Sequence, residues 1–460
     1  MKTPAIIGVF IMLMACQQEK PDPRIQTMDE FLQGQATFFK FNGNVLVAEK
    51  GKVIYRKSVG LANYDTQSPL NDSSIFELAS VSKQFTAAGI LLLNQMNKLS
   101  LTDSLRKYFP ELPYSNITLH HMLTHTSGLP DYEAAMNKTW DRTRIAFNQD
   151  MIDFLAKEKP PIHFKPGEKW EYSNTAFAIL ASTIEKVSGQ TFKEFMAEHF
   201  FQPLGMNHTR IYNTRRSGEK IDNYAYGYVW SDSLNRLMLP DSLPDYKFVY
   251  YLDGIQGDGI INSTTADLLK WDRSLLNHTI LNEGAVGEMQ KPQALVDTVS
   301  QGSYGYGVFV GKNQFGNYIQ HAGGWPGYGT NLARYVDDDL TLIVLSNNES
   351  AATAIQAALS NIYFNQPVAM PYEHTSIVLD SITLDAFVGS YKLRGTKFAI
   401  DRDKNGLKVY GGMELRPESE TKIFHTGRYD LQFEIEKNAN GTLRYYRTMF
   451  GVRELVEKLN

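Results

Sequence analysis

Cysteine is almost absent from this sequence: Cys16 is the only one among 460 residues. A single thiol cannot close an intramolecular disulfide, and it cannot supply the several sulfur ligands of a zinc site. The scarcity of cysteine therefore agrees with export without structural disulfides. It excludes a cysteine-ligated zinc site and a catalytic thiol.

Several other signatures are missing. The net charge is −4, and basic residues do not cluster with aromatic ones, which excludes nucleic acid as a partner. The G-x-S-x-G elbow of α/β-hydrolases does not occur. The glycine-rich stretch 257–267 lacks the Lys-Ser/Thr pair of a phosphate-binding loop. These absences disfavour an α/β-hydrolase and a phosphate cradle.

The apolar run at the N-terminus, Pro4 to Met14, is too short to span a bilayer comfortably. It follows the short cationic stretch Met1–Thr3 and ends in Leu13-Met14-Ala15-Cys16. This pattern is typical of a secretory signal, and its last four residues resemble a bacterial lipobox.

These features predict a signal peptide over residues 1–15, lipidation of Cys16 and a polar tether over residues 16–27. The protein would then lie in the cell envelope or periplasm, with the membrane as a partner through its lipid anchor. An ordinary signal peptide with a chance cysteine is the alternative interpretation.

The remaining chain divides at the proline-containing stretch 366–375. Before it, residues 28–366 combine helical and strand patterns: an opening helix over residues 28–40, a hairpin from Val45 to Tyr55 and an apolar helix after Ser80. A helix over residues 351–361 closes this region. Its later part predicts an antiparallel sheet of Tyr306–Val310, Asn317–Gln320, Leu332–Val336 and Leu340–Leu345.

Residues 376–460 predict a second, smaller domain. Short alternating strands are separated by the turn signals Asn405-Gly406 and Asn440-Gly441. This pattern is typical of a small all-β module, which carries no recognisable catalytic motif.

Ser80 and Lys83 form an S-x-x-K pair at the start of the apolar helix. Three residues are close to one helical turn, so a helix beginning at Ser80 puts the hydroxyl and the amine on one face. A serine hydroxyl needs a neighbouring base to act as a nucleophile, and a lysine serves only where its surroundings favour the neutral amine. The alternative is a serine N-cap followed by a solvated lysine.

Two further stretches accompany this pair. Tyr172-Ser173-Asn174 precedes an amphipathic helix that Gly189 ends, so its side chains can point into a cleft. A packing role for Tyr172 and an N-cap role for Asn174 are the alternatives. His321-Ala-Gly323-Gly324 ends a predicted strand and is followed by a loop over residues 325–329.

Three histidines occur within Leu119–Pro130. His121 and His125 would share one face of a helix, but the glutamate of H-E-x-x-H is missing. The favoured interpretation is a helix ended by Gly128 and Pro130, with histidines that bond to the backbone. We therefore predict no metal site and no cofactor.

In their order, spacing and context, the three stretches resemble the motifs of the penicillin-recognising serine hydrolases. This family comprises class C β-lactamases, D-alanyl-D-alanine carboxypeptidases and related esterases. The resemblance covers about residues 28–365 and implies an α+β fold of the β-lactamase/transpeptidase type: an antiparallel sheet flanked by helices, plus an all-helical region. The C-terminal module resembles the β-barrel-like domains that some members carry.

The resemblance also implies roles for individual residues. Ser80 would be the nucleophile, with Lys83 and Tyr172 as the base and later the proton donor. Asn174 would orient the substrate amide and Lys83. The backbone N–H groups of Ser80 and Gly324 would form the oxyanion hole, and a glycine at position 324 would let the substrate approach the strand edge closely. His321 and Gly323 of the same motif would also contribute to substrate binding.

His321 replaces the lysine that most β-lactamases have in the third motif. A histidine is only partly charged near neutral pH, so its hold on a substrate carboxylate would weaken as pH rises. This argues against an efficient β-lactamase. No counterpart of the class A deacylating glutamate is found, so deacylation would depend on Tyr172 and Lys83.

The resulting expectation is an exported serine hydrolase that cleaves an amide or ester through an acyl-Ser80 intermediate. A D-Ala-D-Ala-type peptide or a small ester is the expected substrate, and partners include peptidoglycan stem peptides, esters or β-lactams. One alternative is a penicillin-binding sensor lipoprotein that acylates without turnover. Another is a structural lipoprotein with a degenerate site.

Overall fold

The computed structural model describes residues 22–213, 215, 217–296, 302–404 and 406–459. The predicted signal peptide and Cys16 lie outside the described residues, as does the first half of the predicted tether, residues 16–21. Residues 23–27 are helical, so the tether prediction is wrong there. The first helix, α1, begins at Pro23, five residues earlier than predicted. The Asp22 side chain caps this helix by accepting from the Arg24 N–H, and Pro23 suits the first helical turn.

Helices are frequent in the described residues between 22 and 385. In chain order they are α1 (Pro23–Phe39), α2 (Lys83–Gln95), α3 (Leu105–Tyr108), α4 (Leu119–Leu123), α5 (Tyr132–Thr139), α6 (Asn148–Glu158), α7 (Asn174–Ser188), α8 (Phe192–Met196), α9 (Phe248–Tyr251), α10 (Thr265–Leu276), α11 (Glu283–Gln290), α12 (Ala352–Tyr363) and α13 (Ser381–Asp385). In the described part of the chain, none of them is long and apolar enough to cross a membrane.

Fifteen strands precede residue 350 in the described part of the chain. They are β1 (Gly43–Glu49), β2 (Lys52–Val59), β3 (Leu61–Asn63), β4 (Ser68–Pro69), β5 (Phe76–Glu77), β6 (Arg210–Ile211), β7 (Val229–Ser231), β8 (Arg236–Met238), β9 (Ile261–Ser263), β10 (Ala294–Leu295), β11 (Ser303–Tyr304), β12 (Phe309–Asn313), β13 (Gly316–Trp325), β14 (Tyr328–Tyr335) and β15 (Leu340–Ser346).

The main sheet has eight antiparallel strands in the order β10-β11-β12-β13-β14-β15-β1-β2. Strand β15 is buried along its whole length, as its continuously apolar sequence predicts. Ile343 and Leu345 belong to the same buried cluster as Phe85 of α2, whereas Leu342 and Val344 belong to the cluster that contains residues of α1 and α12. The sheet therefore separates two helical layers, and the predicted N-terminal hairpin forms one of its edges.

Strand β13 continues beyond the predicted end of its strand. Pairing with β14 runs through Ala322 to Trp325, and only Pro326 and Gly327 connect the two strands. The predicted loop over residues 325–329 is therefore wrong. The cause lies in the glycines of this segment: they provide none of the alternating side chains that identify a strand, although their backbones pair.

Helix α4 ends at Leu123, so the predicted helix end at Gly128 is also wrong. His125 has a φ of 59°, in the left-handed region that an α-helix cannot include. His121 and His125 consequently do not share a helix face.

The C-terminal strands close into an eight-stranded barrel. They are β16 (Gly389–Leu393), β17 (Thr396–Asp403), β18 (Gly406–Val409), β19 (Met413–Ser419), β20 (Lys422–His425), β21 (Leu431–Lys437), β22 (Leu443–Met449) and β23 (Val452–Leu459). Their inward-facing side chains form a separate core around Tyr391, Ile400 and Phe433. The barrel contacts the first region through a hydrogen bond from Gln35 to Asp430.

Candidate active site

Ser80 lies in a 3-10 turn, Ala79–Ser82, which directly precedes α2. We call these four residues the Ser80 turn. Lys83 is the first residue of α2, and its Nζ lies 3.2 Å from Ser80 Oγ. The Lys83 side chain is fully buried, at 0% exposure, so the alternative of a solvated lysine is wrong.

The Ser80 turn is held in an unusual backbone conformation. Ala79 has a φ of 48°, and Ile260, across the cavity, has a φ of 74°. The turn is fixed by a hydrogen bond from the Leu78 N–H to the Ile261 carbonyl, at 2.8 Å. Left-handed conformations of residues other than glycine persist only where the surrounding structure imposes them, and they cluster at functional sites.

Lys83 Nζ has two further hydrogen-bond acceptors. They are Asn174 Oδ1 at 2.8 Å and the Asp258 carbonyl oxygen at 2.6 Å. The same nitrogen lies 4.8 Å from the centroid of the Tyr172 ring. The amine is thereby fixed between the serine and the Tyr172–Asn174 segment, which brings the first two predicted motifs together.

The second motif lies at the start of α7, as predicted. Ser173 is the N-cap of this helix, since its Oγ accepts from the Ala176 N–H at 3.1 Å. Asn174 is therefore not the N-cap, and its Nδ2 donates to Glu133 Oε1 at 2.7 Å. The Tyr172 hydroxyl is buried and has no hydrogen-bond partner among the described residues.

His321 is buried beside the sheet with only 2% exposure. Its Nδ1 donates to the Ala322 carbonyl at 2.6 Å, and its Nε2 accepts from the Tyr304 hydroxyl at 2.9 Å. Burial lowers the pKa of His321 to about 3, and the Lys83 charge contributes. The prediction that His321 is partly charged near neutral pH is therefore wrong. A neutral imidazole cannot form an ion pair with a substrate carboxylate.

The two glycines of the third motif border the Ser80 turn. A side chain at Gly323 would collide with the Leu78 carbonyl, and its Cβ would lie 3.1 Å from the Ser80 nitrogen. Gly324 faces open space and borders the same cavity as Ser80. Glycine is thus required at position 323 by the close approach of β13 to the turn.

We expect Gly323→Ala to disturb both stability and activity. The methyl group would displace the Leu78 carbonyl or Thr330, whose hydroxyl donates to that carbonyl at 2.7 Å. Overpacking of this kind costs about 1–3 kcal/mol, and the shifted turn should lower kcat/KM at least tenfold. Chemical denaturation and ester hydrolysis would measure the two effects. Gly324→Ala, where no atom lies within 4 Å of the added methyl, should leave the free energy of unfolding unchanged.

A cavity of about 140 Å³ opens beside Ser80. Four of its lining residues are carboxylates, which we call the acidic wall: Glu77, Glu133, Asp253 and Asp258. The other lining residues are mostly apolar or belong to the motifs: Ala79, Ser80, Tyr132, Asn174, Leu252, Ile255, Gly259, Ile260, Gly324 and Trp325.

Burial raises the pKa of all four carboxyl groups of the acidic wall, and Arg215 lies 3.7 Å from one of them, Asp253. Burial raises the pKa of Glu133 to about 7, and Asp258 and Asp131 raise it further. Burial likewise raises the pKa of Glu77 to about 7, with Arg215 opposing the shift. Carboxyl groups in such surroundings gain stability from a nearby cation.

Sequence reasoning missed Glu133 and Asp258. Asp258 lies within the glycine-rich stretch 257–267, whose pattern suggests nothing more specific than a phosphate loop, and its carboxylate accepts from the Tyr132 hydroxyl at 2.9 Å. Glu133 follows the Gly128-Leu-Pro130 stretch without any local motif. Glu133 and Asp258 come close to Lys83 only when the chain folds, so no pattern along the sequence could have identified either residue.

The three histidines between Leu119 and Pro130 do not converge. His120 Nδ1 bonds to the Tyr306 hydroxyl, His121 Nδ1 accepts from the Thr118 N–H, and His125 Nδ1 accepts from the Ser173 N–H. Backbone bonds were predicted, and two of the three histidines make them. Within the described ranges, no three His, Cys, Asp or Glu residues form a group that could hold a metal ion.

A buried lysine beside a serine, a tyrosine at a helix start and a glycine-containing strand against the serine are the features of a penicillin-recognising serine hydrolase. The Beta-lactamase family model matches residues 38–361, so the chain belongs to the Beta-lactamase family. The recognition made from the three motifs is thereby confirmed.

Named relatives agree with this assignment. Penicillin-binding protein 4* of Bacillus subtilis (strain 168) is 41% identical over 399 residues, which cover 84% of this chain and 88% of that protein. The penicillin binding protein from Bacillus halodurans is 27% identical, with a TM-score of 0.64, and covers 72% of this chain and 98% of its own.

Two more distant structures are similar in fold. The octameric penicillin-binding protein homologue from Pyrococcus abyssi is 23% identical, with a TM-score of 0.67 over 94% of this chain and all of that one. D-amino acid amidase from Ochrobactrum anthropi SV3, also 23% identical, has a TM-score of 0.61 over 74% of this chain and 97% of its own. The predicted fold class, with its C-terminal barrel, is confirmed.

Proposed function

We propose that the protein hydrolyses an amide or ester through an acyl-Ser80 intermediate. The observation that carries this proposal is the position of Lys83 Nζ, in contact with Ser80 Oγ, Asn174 and the Tyr172 ring. Tyr172 and Lys83 together take the Ser80 proton as Oγ attacks the carbonyl carbon. The N–H groups of Ser80 and Gly324 stabilise the oxyanion.

Collapse of the tetrahedral intermediate breaks the bond to the amine or alcohol, which leaves with the proton held by Tyr172 and Lys83. Water then attacks the Ser80 ester, gives one proton to the same pair, and releases the acid as Ser80 recovers its hydrogen. No other base is required: the Lys83 amine lies 4.8 Å from the Tyr172 ring centroid, and the Tyr172 hydroxyl has no other partner among the described residues.

For the substrate, we propose an amide, ester or short peptide of a D-amino acid with a free amino group. Two observations support this choice over a D-Ala-D-Ala stem with its terminal carboxylate. The acidic wall attracts an ammonium group and repels a carboxylate, and the neutral His321 offers no positive charge. One structural relative is itself named a D-amino acid amidase.

Intact-mass spectrometry of the chain from residue 21 onward tests the acyl-enzyme. Incubation with a fluorescent penicillin should add one penicillin mass, and Ser80→Ala should add none. Turnover of D-alaninamide, D-Ala-D-Ala and p-nitrophenyl acetate would then be compared. An adduct without any turnover would instead support the penicillin-binding sensor, and an adduct that persists in Ser80→Ala would contradict the proposed nucleophile.

We expect Glu133→Gln to weaken binding of the cationic substrate selectively. Glutamine can still accept the Asn174 hydrogen bond but carries no charge. KM for D-alaninamide should rise about tenfold, the equivalent of about 1.4 kcal/mol. KM for the neutral p-nitrophenyl acetate should change less than about twofold. Equal changes for the two substrates would contradict an electrostatic role.

The same substrate pair predicts a pH dependence. Glu133 has a pKa of about 7, so below that pH it is protonated and attracts an ammonium group less. The kcat/KM for D-alaninamide, relative to p-nitrophenyl acetate, should rise from pH 5 to pH 7. It should fall again above about pH 8 as the α-amino group loses its proton. Glu133→Gln should remove most of the rise at low pH.

We also propose export and anchoring through Cys16, in the cell envelope. The lipobox-like Leu13–Cys16 segment supports this. In cells expressing the full chain, Cys16→Ala should move the protein from the membrane fraction to the soluble fraction. A mature N-terminus other than Cys16 would contradict lipidation.

A further inference from the structure

We infer that His125 is a positioning residue that holds Tyr172 against Lys83. This inference rests on the proposed function, because it concerns the group that shares the proton of Ser80. Among the described residues, none of the hydrogen bonds or ring contacts of His125 involves Ser80 or the acidic wall. They instead include bonds to the residues on both sides of Tyr172 and a contact with the Tyr172 ring.

The first observation is a two-point backbone clamp. The Glu171 N–H donates to the His125 carbonyl at 2.9 Å, and the Ser173 N–H donates to His125 Nδ1 at 3.0 Å. Tyr172 lies between these two donors. One residue thus fixes the peptide groups on either side of the tyrosine, and with them the direction in which its side chain leaves the backbone.

The second observation is the contact between the rings. The His125 and Tyr172 centroids lie 4.3 Å apart with an interplanar angle of 37°. His125 is fully buried, and the rings of Phe177 and Tyr304 lie 5.0 and 4.6 Å away. Packing on several sides makes the imidazole a rigid support for the tyrosine.

The third observation is that the His125 side chain is neutral and that one of its two ring nitrogens makes no hydrogen bond among the described residues. Burial lowers its pKa well below the ordinary value, and the Lys83 charge adds to the effect. Nδ1 accepts from Ser173, so Nε2 carries the proton, yet Nε2 has no partner among the described residues. A buried donor without a partner costs free energy, so a residue selected for packing alone would be apolar.

The backbone of His125 adds a fourth observation. Its φ of 59° lies in the left-handed region, which histidine, asparagine and aspartate adopt more often than other residues that have a side chain. The next residue is also tied down, since the Thr126 carbonyl accepts from the Gly167 N–H at 2.8 Å. The strained backbone allows one residue to present both its carbonyl and its Nδ1 to the Glu171–Ser173 segment.

Two substitutions separate the acceptor from the ring. His125→Asn keeps an acceptor near the position of Nδ1 and tolerates the left-handed backbone, but it loses the ring. His125→Phe keeps a ring and loses the acceptor. His121→Asn is the matched control, because His121 Nδ1 also accepts from a backbone N–H, that of Thr118, in the same segment.

We expect His125→Phe to lower kcat for p-nitrophenyl acetate on the order of 10²-fold, with KM changed less than threefold, because Tyr172 is misplaced and not removed. His125→Asn should retain at least a tenth of the wild-type kcat. His121→Asn should match the wild type. Melting temperatures of all variants would be recorded in parallel. Losses that are equal in the Phe and Asn variants, or that follow the melting temperature, would overturn the inference.

A double-mutant cycle with Tyr172→Phe provides the decisive measurement. If His125 acts through Tyr172, then His125→Phe should lower kcat less than twofold further in the Tyr172→Phe background. A general structural role would instead multiply the two losses, which would overturn the inference. A different result would contradict the proposed function itself: turnover would persist in Ser80→Ala, whichever residue occupies position 125.

Discussion

Lys83→Met is expected to lower kcat/KM for p-nitrophenyl acetate by about 10³-fold or more. Methionine approaches lysine in length but cannot take a proton or offer a charge. The substitution removes the amine that contacts Ser80 Oγ at 3.2 Å and Asn174 Oδ1 at 2.8 Å. Ser80 would lose its base, and Tyr172 would lose the amine that lies 4.8 Å from its ring centroid.

A stability cost should accompany this loss. The Asp258 carbonyl and Asn174 Oδ1 would be left as buried acceptors without Lys83, which costs about 1–3 kcal/mol for each such group. Denaturant unfolding would measure the cost, and activity would be assayed well below the midpoint. The rate of acylation by a fluorescent penicillin, followed by stopped flow, isolates the first chemical step from deacylation.

Two companion variants make the result interpretable. Lys83→Arg keeps the charge but cannot accept a proton, so it should be nearly as inactive if Lys83 is a base and not only a counter-charge. Lys186→Met is the matched control: Lys186 also donates to a carbonyl, that of Tyr108 at 2.8 Å, and lies 4.2 Å from the Phe109 ring centroid. More than a tenth of the wild-type activity in Lys83→Met would contradict the proposed mechanism.

The first two motifs could be recognised in the sequence because each consists of residues that are close together along the chain and lie at the start of a helix. Ser80 and Lys83 are one turn apart, and Asn174 begins a helix whose apolar face and final Gly189 are visible in the chain. Alternating apolar residues likewise predicted the strands of the barrel, since each strand turns one face to its own core.

What could not be predicted depends on residues far apart in sequence. The neutral state of His321 follows from burial beside the sheet and from Lys83, which is more than 200 positions away. The acidic wall unites Glu77, Glu133 and Asp258 from three separate segments. Long-range assembly also hid the course of β13, whose glycines pair with β14 but carry no side-chain pattern.

Tyr172→Phe should reduce kcat/KM for p-nitrophenyl acetate by about 10²- to 10³-fold and leave stability unchanged or slightly raised. The two effects diverge because the Tyr172 hydroxyl is buried without a partner among the described residues. Its removal therefore breaks no hydrogen bond and relieves an unsatisfied polar group. Assays of activity and of denaturant unfolding on the same preparation would measure both.

Tyr304→Phe is the matched control with the opposite expected profile. The Tyr304 hydroxyl donates to His321 Nε2 at 2.9 Å, so its loss should cost about 1 kcal/mol of stability while kcat/KM falls less than tenfold. If Tyr172→Phe instead loses stability and activity together, the hydroxyl has a structural partner and its catalytic role is contradicted. A penicillin adduct that outlasts the wild-type adduct in Tyr172→Phe would assign the hydroxyl to deacylation, the step for which the family resemblance offered no separate base.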